Sequence, residues 1–503
     1  MKNNKQIKIG SILSYISIAV NILAGLIYTP WMIKKIGDSQ YGLYTLANSI
    51  ITLFLVDFGL SSAVGRYVSK YNAEGDQEKV NNFLGVVYKL YLIIDTIIFI
   101  ILFVYFFMID SIYVKLTPTE LSQFKVVYII SASFAVCNFP FVTFNGILTA
   151  YEKFIPLKLA DLIYRILLVT LTVIALLLGM GLYALVAVHA IAGVAIIIYK
   201  YIVIKIKIPI KVNFKYSDKA LYKDIFGFSV WTTVSSLAQR LIFAITPSIL
   251  GIVANSSAIA VFGVVATIEG YVFVVTSAIN GMFMPKIARI YAGEDEEKDV
   301  TPLLMKVGKF QFALNGLIVV GFAVIGRQFI SLWMDSSYLD AYYGILLVVI
   351  PGIFFNALQI GNTAMIVLKK VNWTAWVNVI IGVINVTCSF ILSYHFGVLG
   401  ACLSIFIAYM VRALLLNIIY YKKLKLNTPL FAKECYLRMM IPLLLSLGIA
   451  LIIAYYIPEF GWWSLIAEGI IAVMVYVVLL LLLGVKKEER AIVFQKVKRI
   501  FHK

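Results

Sequence analysis

The run Ser11–Ile33, S-I-L-S-Y-I-S-I-A-V-N-I-L-A-G-L-I-Y-T-P-W-M-I, is long and apolar enough to cross a hydrocarbon core of about 30 Å as one helix. It follows a basic segment, Met1–Gly10, an order that also fits a secretory leader. The run is too long for the apolar part of a leader and carries no convincing small-residue cleavage site, so it is read as a first spanning helix. Apolar runs of roughly 20 residues or more recur to the end of the chain, separated by short polar breaks. They lie near 41–68, 82–108, 121–147, 157–179 and 182–204. After a basic loop they continue near 225–250, 257–285, 303–328, 340–367, 371–395, 398–421, 438–457 and 462–484. The expectation is an all-α polytopic membrane protein with about fourteen transmembrane helices.

The chain is 62% hydrophobic and 14% charged, with a mean hydropathy of +0.95. Soluble domains run roughly 45–50% apolar and about 25% charged. A net charge of +18 would suit a nucleic-acid binder, but the Lys and Arg residues fall between the apolar runs and make no continuous basic face. Membrane lipids are the expected partner, and nucleic acid is not. Cys137, Cys388, Cys402 and Cys435 lie in or beside apolar runs without metal-ligand spacing, so they read as core, and no metal or other cofactor is expected.

The span count is tested by the side on which basic residues fall, since each span gained or lost flips every later loop. With the N-terminus inside, roughly 37 of the 43 Lys and Arg fall in or beside cytoplasmic breaks; the exceptions are Lys34, Lys35, Lys115, Lys125 and Arg327 at outer ends, and Arg240 within a span. Both termini are therefore expected in the cytoplasm. Landmarks in the two halves also pair at a nearly constant separation: Thr29-Pro30 with Thr246-Pro247, Gly42 with Gly263, Tyr71 with Tyr291, and Gly181 with Gly397. This predicts two six-helix lobes in parallel order, 1–205 and 224–421, joined by a cytoplasmic basic loop, 206–223. Two further spans fill 422–484. The polar segment 485–503 sets Val493, Val497, Ile500 and Phe501 on one helical face, which reads as an interfacial helix on the inner leaflet or as a frayed basic tail.

The segment Ile36–Leu46, I-G-D-S-Q-Y-G-L-Y-T-L, and the segment Asp57–Tyr67, D-F-G-L-S-S-A-V-G-R-Y, resemble the first two helices of the Wzx-type polysaccharide flippases. These belong to the MOP exporter superfamily, which also holds the MATE antiporters and the lipid II flippases. The resemblance implies an inner-membrane flippase of bacteria that carries undecaprenyl-pyrophosphate-linked oligosaccharide to the outer leaflet by alternating access. It also implies a part in making O-antigen, capsule or exopolysaccharide, and a polysaccharide polymerase and chain-length regulator as partners.

Ionisable side chains in mid-membrane cost about 2.5–3.5 kcal/mol each on insertion scales, so those present are candidate site residues. Arg240, Asp57 and Glu269 lie within the seventh, second and eighth spans, and superfamily members resemble one another in lining a central cavity with the first, second, seventh and eighth. Arg240 either holds the pyrophosphate with its planar donor fork or pairs with Asp57 or Glu269. Arg66 closes the second span as an interfacial anchor or a cavity cation. Asp161 and Arg165, at i and i+4, are expected to satisfy each other. Asp95 and Glu468 also lie within spans, and Asp95 is a candidate proton or cation site. Asn21 and Asn48 are candidates for contact with sugar hydroxyls. Pro30 and Pro247 mark matching bends in the first helix of each lobe, or plain helix-end packing.

An enzyme is not expected. The three His residues, His189, His395 and His502, have no acid beside them in sequence, no G-x-x-x-x-G-K-[ST] pattern is present, and no outer loop is large. Energy for transport would come from H+ or Na+ gradients, membrane potential or use of the product. The rival is a MATE-type cation or multidrug antiporter using Asp57 and Glu269. The extra pair of spans after the twelfth favours the flippase.

Overall fold

The computed structural model describes residues 2–55, 57–277, 283–295, 299–457, 461–485 and 490. The tail expected over 485–503 lies outside them apart from Val485 and Arg490. Every regular element among the described residues is a helix. In order these are α1 (Lys2–Ile36), α2 (Asp38–Phe54), α3 (Leu60–Ala73), α4 (Gln77–Ile112), α5 (Pro118–Asn138), α6 (Thr143–Ala150), α7 (Phe154–Leu177), α8 (Leu182–Lys207), α9 (Lys219–Phe243) and α10 (Thr246–Val253). They continue as α11 (Ser256–Ser277), α12 (Met284–Ala292), α13 (Thr301–Trp333), α14 (Leu339–Val349), α15 (Gly352–Asn356), α16 (Gln359–Val367), α17 (Val371–Leu424), α18 (Thr428–Phe431), α19 (Arg438–Tyr455) and α20 (Trp462–Leu479).

Twelve described segments are long and apolar enough to cross a membrane. One of them, α17, is two helices end to end, because Gly397 between them has φ 54° and ψ −131°. The second expected span, which hydropathy reads as one run, is built in two pieces, α2 and α3. With those two adjustments each of the expected spans has its helical counterpart, in an all-α multi-pass membrane protein. Helices satisfy their own backbone hydrogen bonds, which lipid cannot do.

The chain divides into two compact units, residues 1–263 and 264–503. In the first, α1 lies along α7, α7 along α8, α2 along α5, and α3 against α4 and α6. The α1/α7 register is fixed at both ends. Gln6 Oε1 accepts from the Ile155 amide at 3.1 Å, Gly10 abuts Phe154, and Tyr28 lies beside Thr172. The basic loop is held to α4: the Asn213 amide donates to the Asn81 carbonyl at 3.1 Å, Lys211 N to Asn81 Oδ1 at 2.9 Å, and Lys89 Nζ to the Tyr216 carbonyl at 2.9 Å. Asp76 caps α4 through the Lys79 amide at 2.9 Å, and that bond with the nearby ammonium holds its carboxyl below the usual range.

At the expected outer ends Glu120 joins three helices. It closes a capping box with Thr117 on α5, accepts from Ser39 Oγ on α2 at 2.6 Å, and accepts from Ser256 Oγ at the start of α11. Gly42 and Gly263, paired as landmarks in the sequence, meet at the same crossing. A Cβ on Gly42 would stand 2.1 Å from the Ser256 carbonyl oxygen, and one on Gly263 would stand 2.9 Å from Thr45 Oγ1.

In the second unit α13 is central, with α14, α19 and α20 packed on it. The last two spans dock there through an apolar cluster of Val324, Ala450 and Ala472.

Gly42→Leu is expected to cost about 1–3 kcal/mol by overpacking this crossing. A lowered melting temperature of the purified protein, followed by intrinsic fluorescence, would report it. Gly65→Ala, where a new Cβ meets nothing within 4 Å, is the control and should leave melting unchanged or slightly raised.

Candidate functional site

The D-F-G of the second span is a break in the helix. Phe58 and Gly59 both take left-handed backbone, φ 51° and 69°, after which α3 restarts at Leu60. Glycine adopts this conformation without strain and phenylalanine does not. A restarted helix exposes amides that need acceptors. Asp57 supplies one: its Oδ2 accepts from the Ser61 amide at 3.2 Å, and its Oδ1 accepts from the Tyr91 hydroxyl of α4. Arg240, half-buried in α9 within the apolar stretch Thr233–Val253, attracts Asp57 across this break, short of a direct ion pair. Sequence alone treats 41–68 as one uninterrupted span and gives no hint of this geometry beyond Asp57, Gly59 and the serines that follow.

Arg66 is exposed on α3, its guanidinium 5.7 Å from the Tyr67 ring centre. Tyr67 in turn stacks on Phe83 at 5.2 Å and donates its hydroxyl to Asp224. Asn48 is half-buried on α2, beside Tyr44. Asn21 is half-buried on α1, and its Oδ1 is buried without a hydrogen-bond partner among the described residues. The two prolines differ. Pro30 stands inside α1 without ending it, whereas Pro247 opens α10 just beyond the end of α9.

A group that sequence reasoning passed over gathers on α2, α7 and α8. His189 has Tyr44 Oη 2.5 Å from Nε2 and Tyr164 Oη 3.4 Å from Nδ1, so each ring nitrogen faces a hydroxyl. Its partners lie far off in sequence, so the only available signal was a histidine inside an apolar run. The expected Asp161–Arg165 pair does not form. Asp161 instead meets Lys158 at 3.3 Å, one residue closer along α7 and on the other side. Asp95 on α4 has a buried Oδ1 without a hydrogen-bond partner among the described residues, and Glu468 is buried on α20.

In the second unit Glu269 is half-buried on α11 and acts electrostatically on Tyr409. Arg412 lies over Phe355 at 5.2 Å and Tyr409 at 5.9 Å. Arginine on aromatic faces is attracted by the ring quadrupole, which partly offsets its burial. Arg412 falls within the expected span 398–421 without having been singled out, and the structure sets it well inside the second half of α17.

A family described as polysaccharide biosynthesis protein matches residues 8–291. The chain is 21% identical over 496 residues to the uncharacterized membrane protein EpsK of Bacillus subtilis (strain 168), covering 94% of each. It is 25% identical over 200 residues to a putative O-antigen transporter of Shigella flexneri, covering 40% of this chain and 47% of that one. Its fold is similar to the lipid II flippase MurJ in an inward closed conformation, with a TM-score of 0.74 at 14% identity over 94% of this chain and 97% of that one.

Asp57→Ala should destabilise by about 1 kcal/mol or more, through loss of the cap and a stranded Tyr91 hydroxyl. Asp57→Asn keeps an acceptor for Ser61 and should recover most of it. Melting curves of the two variants side by side check the assignment; equal losses would count against the cap.

Proposed function

We propose, from the premise that the chain belongs to the polysaccharide biosynthesis protein family, that it is a flippase for lipid-linked oligosaccharide. Its cargo is undecaprenyl-pyrophosphate-linked repeat units, moved from the inner to the outer leaflet of a bacterial cell membrane by alternating access. The termini face the cytoplasm, in keeping with where Lys and Arg fall. The observation that carries the reading is Arg240, a guanidinium within an apolar span that is attracted to Asp57 without being closed into a pair.

The physical problem is to carry a pyrophosphate through a medium that penalises charge while the isoprenoid tail stays in lipid. A forked guanidinium offers bidentate hydrogen bonds to phosphate oxygens, and near Asp57 it is preorganised without being neutralised. The helix break at Asp57 sets irregular backbone beside that cation, as in transporters whose broken helices border the transported ligand. Coupling to H+ or Na+, and delivery to a polymerase with its chain-length regulator, complete the proposal.

The gene is deleted in its host, and inner-leaflet lipids and surface polymer are measured. Oligosaccharide on undecaprenyl pyrophosphate should accumulate and surface polymer should fall. Wild type should reverse both, and Arg240→Ala should restore less than about a tenth of the export. Full rescue by Arg240→Ala would remove Arg240 from the site. Unchanged glycolipid and polymer with new sensitivity to cationic dyes would replace the flippase by a cation antiporter.

A further inference from the structure

Asp95 stands at about the middle of α4, which runs through the expected span 82–108. It is half-exposed, its Oδ1 is buried without a hydrogen-bond partner, and among the described residues no Lys or Arg pairs with it. The neighbouring Thr96 returns its hydroxyl to the Leu92 carbonyl at 2.8 Å. Leu92 and Phe99, three residues before Asp95 and four after it, are both exposed, so Asp95 borders the outward face of the helix. A carboxylate at that depth costs about 2.5–3.5 kcal/mol unless something answers its charge.

The surface beside it is shaped. One turn further along α4, about 6 Å, a groove of about 450 Å³ opens between α4 and α5. Phe99, Phe103 and Phe107 wall it on the α4 side, all three exposed, and the first two stack with ring centres 6.0 Å apart. The α5 side is low, because Ser133 and Cys137, one turn apart and both exposed, line it. Tyr128, also in the wall, gives its hydroxyl to the Leu102 carbonyl at 2.8 Å and so offers the groove no donor. Small residues at i and i+4 let a second helix backbone come close within a membrane, where packing and polar contacts hold helices together. A lipid chain would fill the groove and leave the Asp95 carboxylate and the Ser133 hydroxyl unanswered.

We infer that the α4/α5 groove docks one membrane-spanning helix of another membrane protein, whose apolar face enters beside the three phenylalanines and whose mid-membrane Lys or Arg meets Asp95. Charge decides the occupant. A guanidinium or ammonium supplies the donors that the carboxylate lacks, and a cation at mid-membrane on the incoming helix needs an acid as much as Asp95 needs a base. The docking site does not depend on the cargo of the flippase.

Two synthetic Leu/Ala helices of about 21 residues serve as probes, one with Arg and one with Leu at the midpoint. They are titrated onto the full chain in nanodiscs of neutral phospholipid, and association is read by Förster transfer from a donor at the N-terminus of the chain. Wild type should bind the Arg helix about tenfold more tightly than the Leu helix. Asp95→Leu should abolish that preference, and Asp95→Asn, which keeps hydrogen bonding without the charge, should reduce it. Ser133→Ile, which raises the groove floor, should weaken both helices. Each variant is first shown to be monodisperse and to melt as wild type. Equal binding of the two helices by wild type, a preference that survives Asp95→Leu, or binding untouched by Ser133→Ile overturns the docking site. In the host membrane, benzoylphenylalanine in place of Phe103 should crosslink to a span of another protein that carries Lys or Arg, and Asp95→Leu should remove the adduct. Adducts with lipid alone, or with a second copy of this chain, overturn it as well. Neither readout involves glycolipid, so the flippase reading stands or falls separately, on the glycolipid pool of the deletion strain.

Discussion

A span that stops being helical inside a membrane frees amide and carbonyl groups that lipid cannot satisfy. The second span of this chain meets that demand with one carboxylate. Asp57 accepts from the Ser61 amide that α3 exposes and from the Tyr91 hydroxyl on α4, and it attracts Arg240 on α9. The same side chain that makes the break tolerable therefore ties three helices of the first unit to it. The left-handed turn at Phe58 and Gly59 exists only because the groups it strands have somewhere to go.

The number and order of spans were legible because an apolar run of sufficient length is almost the whole specification of a membrane helix. Interruptions were not, since a few irregular residues barely change the mean hydropathy of a long window. Gly397 divides α17 with a single residue, and D-F-G divides the second span while Phe58 and Leu60 keep it apolar. In hindsight an aspartate ahead of glycine and two serines is an N-cap signal, and it was available. Charge pairing misled for another reason. Spacing allowed Asp161 to meet either Lys158 or Arg165, and only the packing of α1 and α8 against α7 decides which side of the helix each occupies.

The basic side chains of the apolar spans find different company. Arg412 lies over the faces of Phe355 and Tyr409, with its Nε buried and without a hydrogen-bond partner among the described residues. Arg240 has Asp57 at a distance, and Arg165 has hydroxyls and an imidazole but no carboxylate among the described residues. Ring faces, a distant carboxylate, and hydroxyls with an imidazole are three different ways of offsetting the cost of a cation in a span.

The loop between the sixth and seventh spans is fastened along α4 at Asn81 and, two turns on, at Lys89, with Gly85 between them touching the Asn213 carbonyl. Such a connection has no slack. It leads directly into α9 at Asp218, so a tilt of α9 is transmitted to α4 as by a short lever, and α4 in turn carries Tyr91 against Asp57. The stretch that most looks like a loose tether in the sequence is thus a mechanical linkage, and its length is as constrained as that of any helix it joins.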